Sequence, residues 1–102
     1  TQDPELLQAA MAMNAGQLDD AAARLTTRDD PPAARLAAEI RWRQGDMPGA
    51  IKGLEQVLAQ APGYDMAREF LIRLLVQSKR LPDALAHAEL LAIRAAAAKL
   101  GA

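Results

Sequence analysis

Apolar residues recur at intervals of three and four along most of the chain, the spacing of one face of an α-helix, and short polar or glycine- and proline-containing breaks interrupt them. The pattern predicts six helices, over 4–15, 18–27, 32–44, 48–60, 65–78 and 82–99. The fourth is the clearest, because Ile51, Leu54, Val57 and Leu58 share one face. Pro31-Pro32 punctuates the start of the third helix. Ala61-Pro62-Gly63-Tyr64 breaks the chain before the fifth, where the N-cap is expected near Asp65.

Three of the breaks resemble one another. Gly16-Gln17-Leu18-Asp19-Asp20-Ala21, Gly45-Asp46-Met47-Pro48-Gly49-Ala50 and Lys79-Arg80-Leu81-Pro82-Asp83-Ala84 each place a turn residue, a polar and an apolar residue ahead of a helix-start residue. Glycine at the first place takes the left-handed conformation that ends a helix. Proline or aspartate suits the first turn of the next, where no backbone donor is lost and negative charge meets the helix dipole. Lys79 stands where the other two have glycine, at a cost of up to ~1 kcal/mol if it is left-handed. Six helices joined by tight turns make three antiparallel hairpins, and hairpins this small must stack to bury their apolar faces.

Composition agrees. Alanine fills 24 of 102 positions, whereas valine, isoleucine and threonine together fill nine and the aromatics are Trp42, Tyr64 and Phe70. An all-β fold needs the residues that are scarce here, so the chain is all-α. Net charge is −1, which gives no electrostatic footprint for nucleic acid. No apolar stretch approaches the ~18 residues of a membrane span, so neither partner class is expected. With no cysteine, disulfides, thiolate metal sites and thiol catalysis are absent, and the redox compartment stays open.

Catalytic chemistry finds little support. The chain has one serine, Ser78, and one histidine, His87, with no third group spaced to orient them; both are read as surface residues. Asp19-Asp20 and Asp29-Asp30 lack the alternating acidic pattern of a calcium loop. Gly45, Gly49 and Gly53 lack the ending of a phosphate loop and are read as a smooth strip on helix four where a neighbouring helix packs closely. No enzyme activity, metal or cofactor is expected.

Gly45-x-x-x-x-Ala50-x-x-x-Leu54-x-x-Val57-Leu58-x-x-x-Pro62 resembles the second half of a tetratricopeptide repeat, a 34-residue helix–turn–helix unit. With Pro31 as the first position, Ala38, Gly45, Ala50, Leu54, Val57 and Pro62 fall near the family's preferred places. Ile72, Leu75, Ala84 and Leu91 follow in the next unit. The resemblance implies a single domain over 1–102, an α–α superhelix of three stacked units at about 2–30, 31–64 and 65–98. The first unit is five residues short, its second helix cut off by Thr26-Thr27-Arg28-Asp29-Asp30-Pro31. Ala34, Ala37 and Arg41 depart from the family's usual Trp, Leu and Tyr, and Arg41 must lay its stem along the core with its charge in water.

The resemblance also implies a role: a non-catalytic module that binds a protein or peptide segment in the concave groove lined by the first helix of each unit. Carried over, the groove positions are Leu6, Ala10, Met13 and Asn14; Arg35, Glu39, Trp42 and Arg43; and Glu69, Phe70, Arg73 and Gln77. Trp42 and Phe70 are the expected apolar anchors, with arginines steering an acidic partner. Against this stands a structural reading in which Arg35–Glu39, Glu39–Arg43 and Glu69–Arg73 satisfy one another at i,i+4 and both aromatics fill the seam between units. The family's clamp for acidic C-termini has Lys and Asn where this chain has Leu6 and Ala10, which argues against that partner.

A second surface follows from aligning helices four and six. Lys52, Gln56, Ala59 and Gln60 correspond to Ala86, Leu90, Ile93 and Arg94, so the terminal helix is more apolar outside than the internal one, against expectation for a capping unit. Leu90, Ile93 and Leu100 are therefore the expected contacts of a homodimer or larger assembly, and a fragment of a longer repeat array remains an alternative. The composition fits a bacterial cytoplasmic protein, with an excised domain of a larger or exported one still open.

Overall fold

A computed structural model describes residues 3–100; Gln2, where the expected first unit opens, lies outside them. The described residues form six α-helices: α1 Pro4–Asn14, α2 Leu18–Arg24, α3 Pro31–Arg43, α4 Met47–Gln60, α5 Asp65–Gln77 and α6 Leu81–Lys99. α1 packs on α2, α3 on α4 and α5 on α6; α3 bridges back to α1 and α2, and α5 to α4. The chain is thus an all-α stack of hairpins with the architecture of a tetratricopeptide-like superhelix. Its radius of gyration is 14.5 Å, above the ~13 Å of a compact domain of this length, as an elongated stack requires.

The three matching turns share one geometry. Gly16 (φ 83°), Gly45 (φ 89°) and Lys79 (φ 60°) are all left-handed. In each, the residue after the left-handed one donates its N–H back to a carbonyl five residues earlier: Gln17 to Ala12 at 2.9 Å, Asp46 to Arg41 and Arg80 to Leu75 at 2.8 Å. This is the Schellman closure of a helix end, and Lys79 adopts it with a Cβ that disfavours it. The next helices begin at once. Asp46 caps α4 through the N–H of Gly49 at 2.9 Å.

Three details differ from the expectations. α2 stops at Arg24, not 27, because the Thr26 hydroxyl donates to the Ala23 carbonyl at 2.6 Å and ties off the helix end. α5 begins at Asp65 as expected, and its N-cap is the adjacent Tyr64, with no side-chain bond. Of the glycine strip, Gly53 alone meets a neighbouring helix, facing Ala38 of α3, whereas a side chain on Gly49 would strike the Asp46 cap. Arg41 is exposed rather than half-buried, its guanidinium lying over Gly53.

Two apolar clusters hold the stack together. The first joins α1, α2 and α3 through Ala9, Ala12, Met13, Ala21, Leu25, Ala33, Leu36 and Ile40. The second joins α3 to α6 and contains Ile51, Leu54, Val57, Leu58, Phe70, Leu71, Leu74 and Leu75. Burying each large side chain stabilises the fold by roughly 1.5–3 kcal/mol.

Where α2 is short, charge supplements packing. Arg28 follows α2 and binds Asp3 ahead of α1 at 2.8 Å, Asp30 ahead of α3 at 2.8 Å and Glu5 at 3.4 Å. Hydrogen bonds from this guanidinium hold the Asp3 and Asp30 carboxyls below the usual carboxylate range, and the Arg28 pKa is raised in return. The clasp joins the start of the chain to the entry of the second hairpin.

Candidate functional site

The first helices of the hairpins (α1, α3 and α5) share one wall, and the turn spacing places equivalent residues along it. Leu6, Ala10 and Asn14 of α1 match Arg35, Glu39 and Arg43 of α3, and these match Glu69, Arg73 and Gln77 of α5. The wall carries two hollows. The larger, about 550 Å³, is lined by Met13, Asn14, Gly16, Leu18, Trp42 and Arg43. The smaller, about 300 Å³, lies among Leu6, Ala10, Arg35, Leu36, Tyr64 and Met66, with Asp3, Leu7 and Pro32 at its rim, and so touches all three hairpins.

Between the hollows runs a charge ladder. Glu39 accepts from Arg43 at 3.1 Å and pairs with Arg35 at 3.6 Å. Two of the three expected i,i+4 pairs therefore form. Among the described residues no ion pair joins Glu69 to Arg73, and both are exposed. One carboxylate between two guanidiniums leaves the middle of the wall net positive, with one arginine at each hollow.

The aromatics divide between wall and seam. Their rings meet edge to face, centroids 5.7 Å apart and planes at 84°, a favourable arrangement. Phe70 is buried among the residues joining α4 to α5, so it braces the wall and offers little surface to a partner. Trp42 is half-buried: one side rests on Phe70 and the other lines the larger hollow. Met13 is likewise buried and forms that hollow's floor. Of the other residues carried over from the resemblance, Leu6, Ala10, Asn14, Arg35 and Arg43 line one hollow or the other. Glu39 stands between them, and Glu69, Arg73 and Gln77 are exposed on α5 and line neither.

Sequence reasoning missed Tyr64 and Met66. Both belong to the entry of α5, not to the helix positions that the register picks out, and no sequence signal marked them; the exposure of Met66 shows only in the structure. It also misplaced His87, which is half-buried rather than on the surface. Nη1 of buried Arg68 donates to His87 Nδ1 at 2.7 Å, and Nη2 donates to the Pro62 carbonyl at 2.8 Å. Burial first, and the Arg68 charge second, hold His87 below its ordinary pKa. The ring is neutral and ties α6 to α5. Ser78 is also half-buried, as the C-cap of α5.

Leu90 and Ile93 of α6 and its C-cap Leu100 are all exposed. Arg94 turns back instead, pairing with Asp65 at 3.0 Å and donating to the Gly63 carbonyl at 3.3 Å. No described helix is long and apolar enough to cross a membrane.

A stack of helical hairpins with an open inner wall defines the class of α-helical repeat proteins. The family model described as Tetratricopeptide repeat matches residues 41–100, more than half the chain, and the protein belongs to that family. Domains of this family generally mediate protein–protein interaction and are typically non-catalytic. No curated protein and no solved structure matches the chain.

Proposed function

We propose that the protein is a non-catalytic interaction module that holds a peptide or protein segment along the α1–α3–α5 wall. The observation that carries this reading is the pair of hollows flanking the Arg35–Glu39–Arg43 ladder. Each offers an apolar floor beside a guanidinium. A segment with two apolar side chains around an acidic group fits that spacing of chemistry. Trp42 supplies rigid contact area, and Arg43 a charge-assisted donor, the residue types that dominate binding hot spots. The engagement of His87 Nδ1 by Arg68 supports the non-catalytic part, since that nitrogen is occupied by a structural bond.

Peptides selected on the protein from a random display library provide the probe. Trp42→Ala combined with Arg43→Ala weakens their binding at least tenfold, about 1.4 kcal/mol, while helicity is retained. Unchanged affinity removes the wall as the binding surface.

A second reading, assembly through the outer face of α6, is favoured by the exposure of Leu90, Ile93 and Leu100. If that face holds a homodimer, Leu90→Glu dissociates it in sedimentation experiments; a dimer that survives the substitution does not use the face.

A further inference from the structure

The spacing of the turns places every hairpin on one ruler. Leu7 and Met11 of α1 stand 29 positions before Leu36 and Ile40 of α3, which stand 34 before Phe70 and Leu74 of α5. The later four are at most 7% exposed, because each pair inserts into the hairpin before it. Leu36 and Ile40 join the cluster of Met13 and Leu25; Phe70 and Leu74 join that of Ile51 and Leu54. Leu7 and Met11 hold the same places on α1 and are 62% and 63% exposed.

The far end shows the converse. Trp42, Met47 and Ile51 of the middle hairpin belong to or pack against the cluster that receives α5. Their counterparts 34 positions on are Val76, Leu81 and Leu85, which are 50%, 57% and 61% exposed. The chain therefore carries both halves of an interface it already makes internally, the inserting half at one end and the receiving half at the other.

We infer that a second copy of this chain docks head to tail, with Leu7 and Met11 of one copy on Val76, Leu81 and Leu85 of the next, as α5 sits on α4. The electrostatics of the ends agree. Residues 1–30 hold two basic and six acidic side chains, and residues 65–102 six basic and four acidic, so an acidic end meets a basic one. The two halves are different patches, so the contact is heterologous and leaves a free end at each step. Assembly proceeds beyond a dimer unless a ring closes. The surface is a different stripe of α6 from Leu90 and Ile93 and touches the concave wall only through Leu7, beside the smaller hollow. Met11, Leu81 and Leu85 line neither wall hollow, so the Leu81→Glu/Leu85→Glu variant tests the docking separately from both readings above.

Sedimentation velocity over a concentration series tests this, using the wild type, Leu7→Glu/Met11→Glu, Leu81→Glu/Leu85→Glu, and an equimolar mixture of the two variants. All four substituted side chains are exposed, and circular dichroism checks that helicity is kept; the milder Met11→Ser and Leu85→Ser give the same readout if glutamate disturbs it. The wild type is expected to gain mass past the dimer, and each variant alone to associate at least tenfold more weakly. The mixture, with one good tail and one good head, is expected to form a heterodimer and stop there. A wild type that stays monomeric at every concentration overturns the inference, as it must if these ends await other helices. So does a mixture that stays monomeric, or an assembly lost through Leu90→Glu instead.

Discussion

The seam between the first and second hairpins and the seam between the second and third are topologically alike but built from different materials. The first is half alanine, with Met13, Leu25, Leu36 and Ile40 as its large buried members and the Arg28 clasp around its edge. The second interleaves isoleucine, leucines, valine and phenylalanine, with Trp42 at its rim and no clasp of that kind among the described residues. Small residues let helices approach closely but remove little area from water, and hydrophobic stabilisation follows that area. The contrast teaches that the second and third hairpins carry most of the stability, while the first is held on by close approach and by charge.

The largest expected effect is in the apolar seam. Leu74→Ala, at a position with no exposure, should cost about 2–5 kcal/mol in a urea titration. Ala12→Gly in the alanine seam should cost about 1 kcal/mol, chiefly through helix propensity. Equal losses would break the comparison.

Acid should separate the seams next. His87 has a folded pKa below its ordinary 6.5, so the neutral ring is favoured on folding. Its contribution is complete above about 6.5 and is lost as the pH falls through the depressed value, loosening α5 from α6. Asp3 and Asp30 lie below their ordinary 3.8. The stability from the clasp is therefore complete above that value and disappears only at lower pH. Amide exchange followed against pH should show α6 opening at milder acidity than the α1–α3 contact. Arg28→Ala should abolish the second step and lower the melting temperature, with less effect in high salt, where exposed ion pairs are screened. Simultaneous opening of both regions would contradict the assignment.

The smallest effect concerns the turns that set the spacing of both seams. Lys79→Gly should stabilise the protein by roughly 0.5–1 kcal/mol by relieving a left-handed residue that carries a Cβ. Gly45→Lys, which installs the same strain before α4, should destabilise by a similar amount; thermal melts of the pair suffice.

Much of this was legible in the sequence. Periodic apolar residues and the three glycine- or lysine-led turns marked all six helices, because helix starts and stops are local chemistry, and the small size of the hairpins implied stacking. What could not be read depends on neighbours distant in sequence. The Arg68–His87 bond spans 19 positions and joins two helices. The Arg28 clasp reaches back 25 positions to Asp3. Phe70 and Trp42 were both expected as anchors of the groove, yet one is buried in the seam and the other half-open on the wall. That division depends on how the neighbouring hairpins meet, which no local pattern specifies: Phe70 inserts into the hairpin before it, whereas Trp42 only borders that seam.

The inner wall as a binding surface is tested most directly by mapping backbone amide shifts in NMR spectra while a display-selected peptide is titrated in. The perturbed amides are expected to cluster on α1, α3 and the entry of α5, around Asn14, Arg35, Trp42, Arg43 and Met66, with the indole N–H of the single tryptophan among the most shifted signals. Perturbations confined to α2, α4 and α6, with the Trp42 indole unmoved, would contradict this expectation.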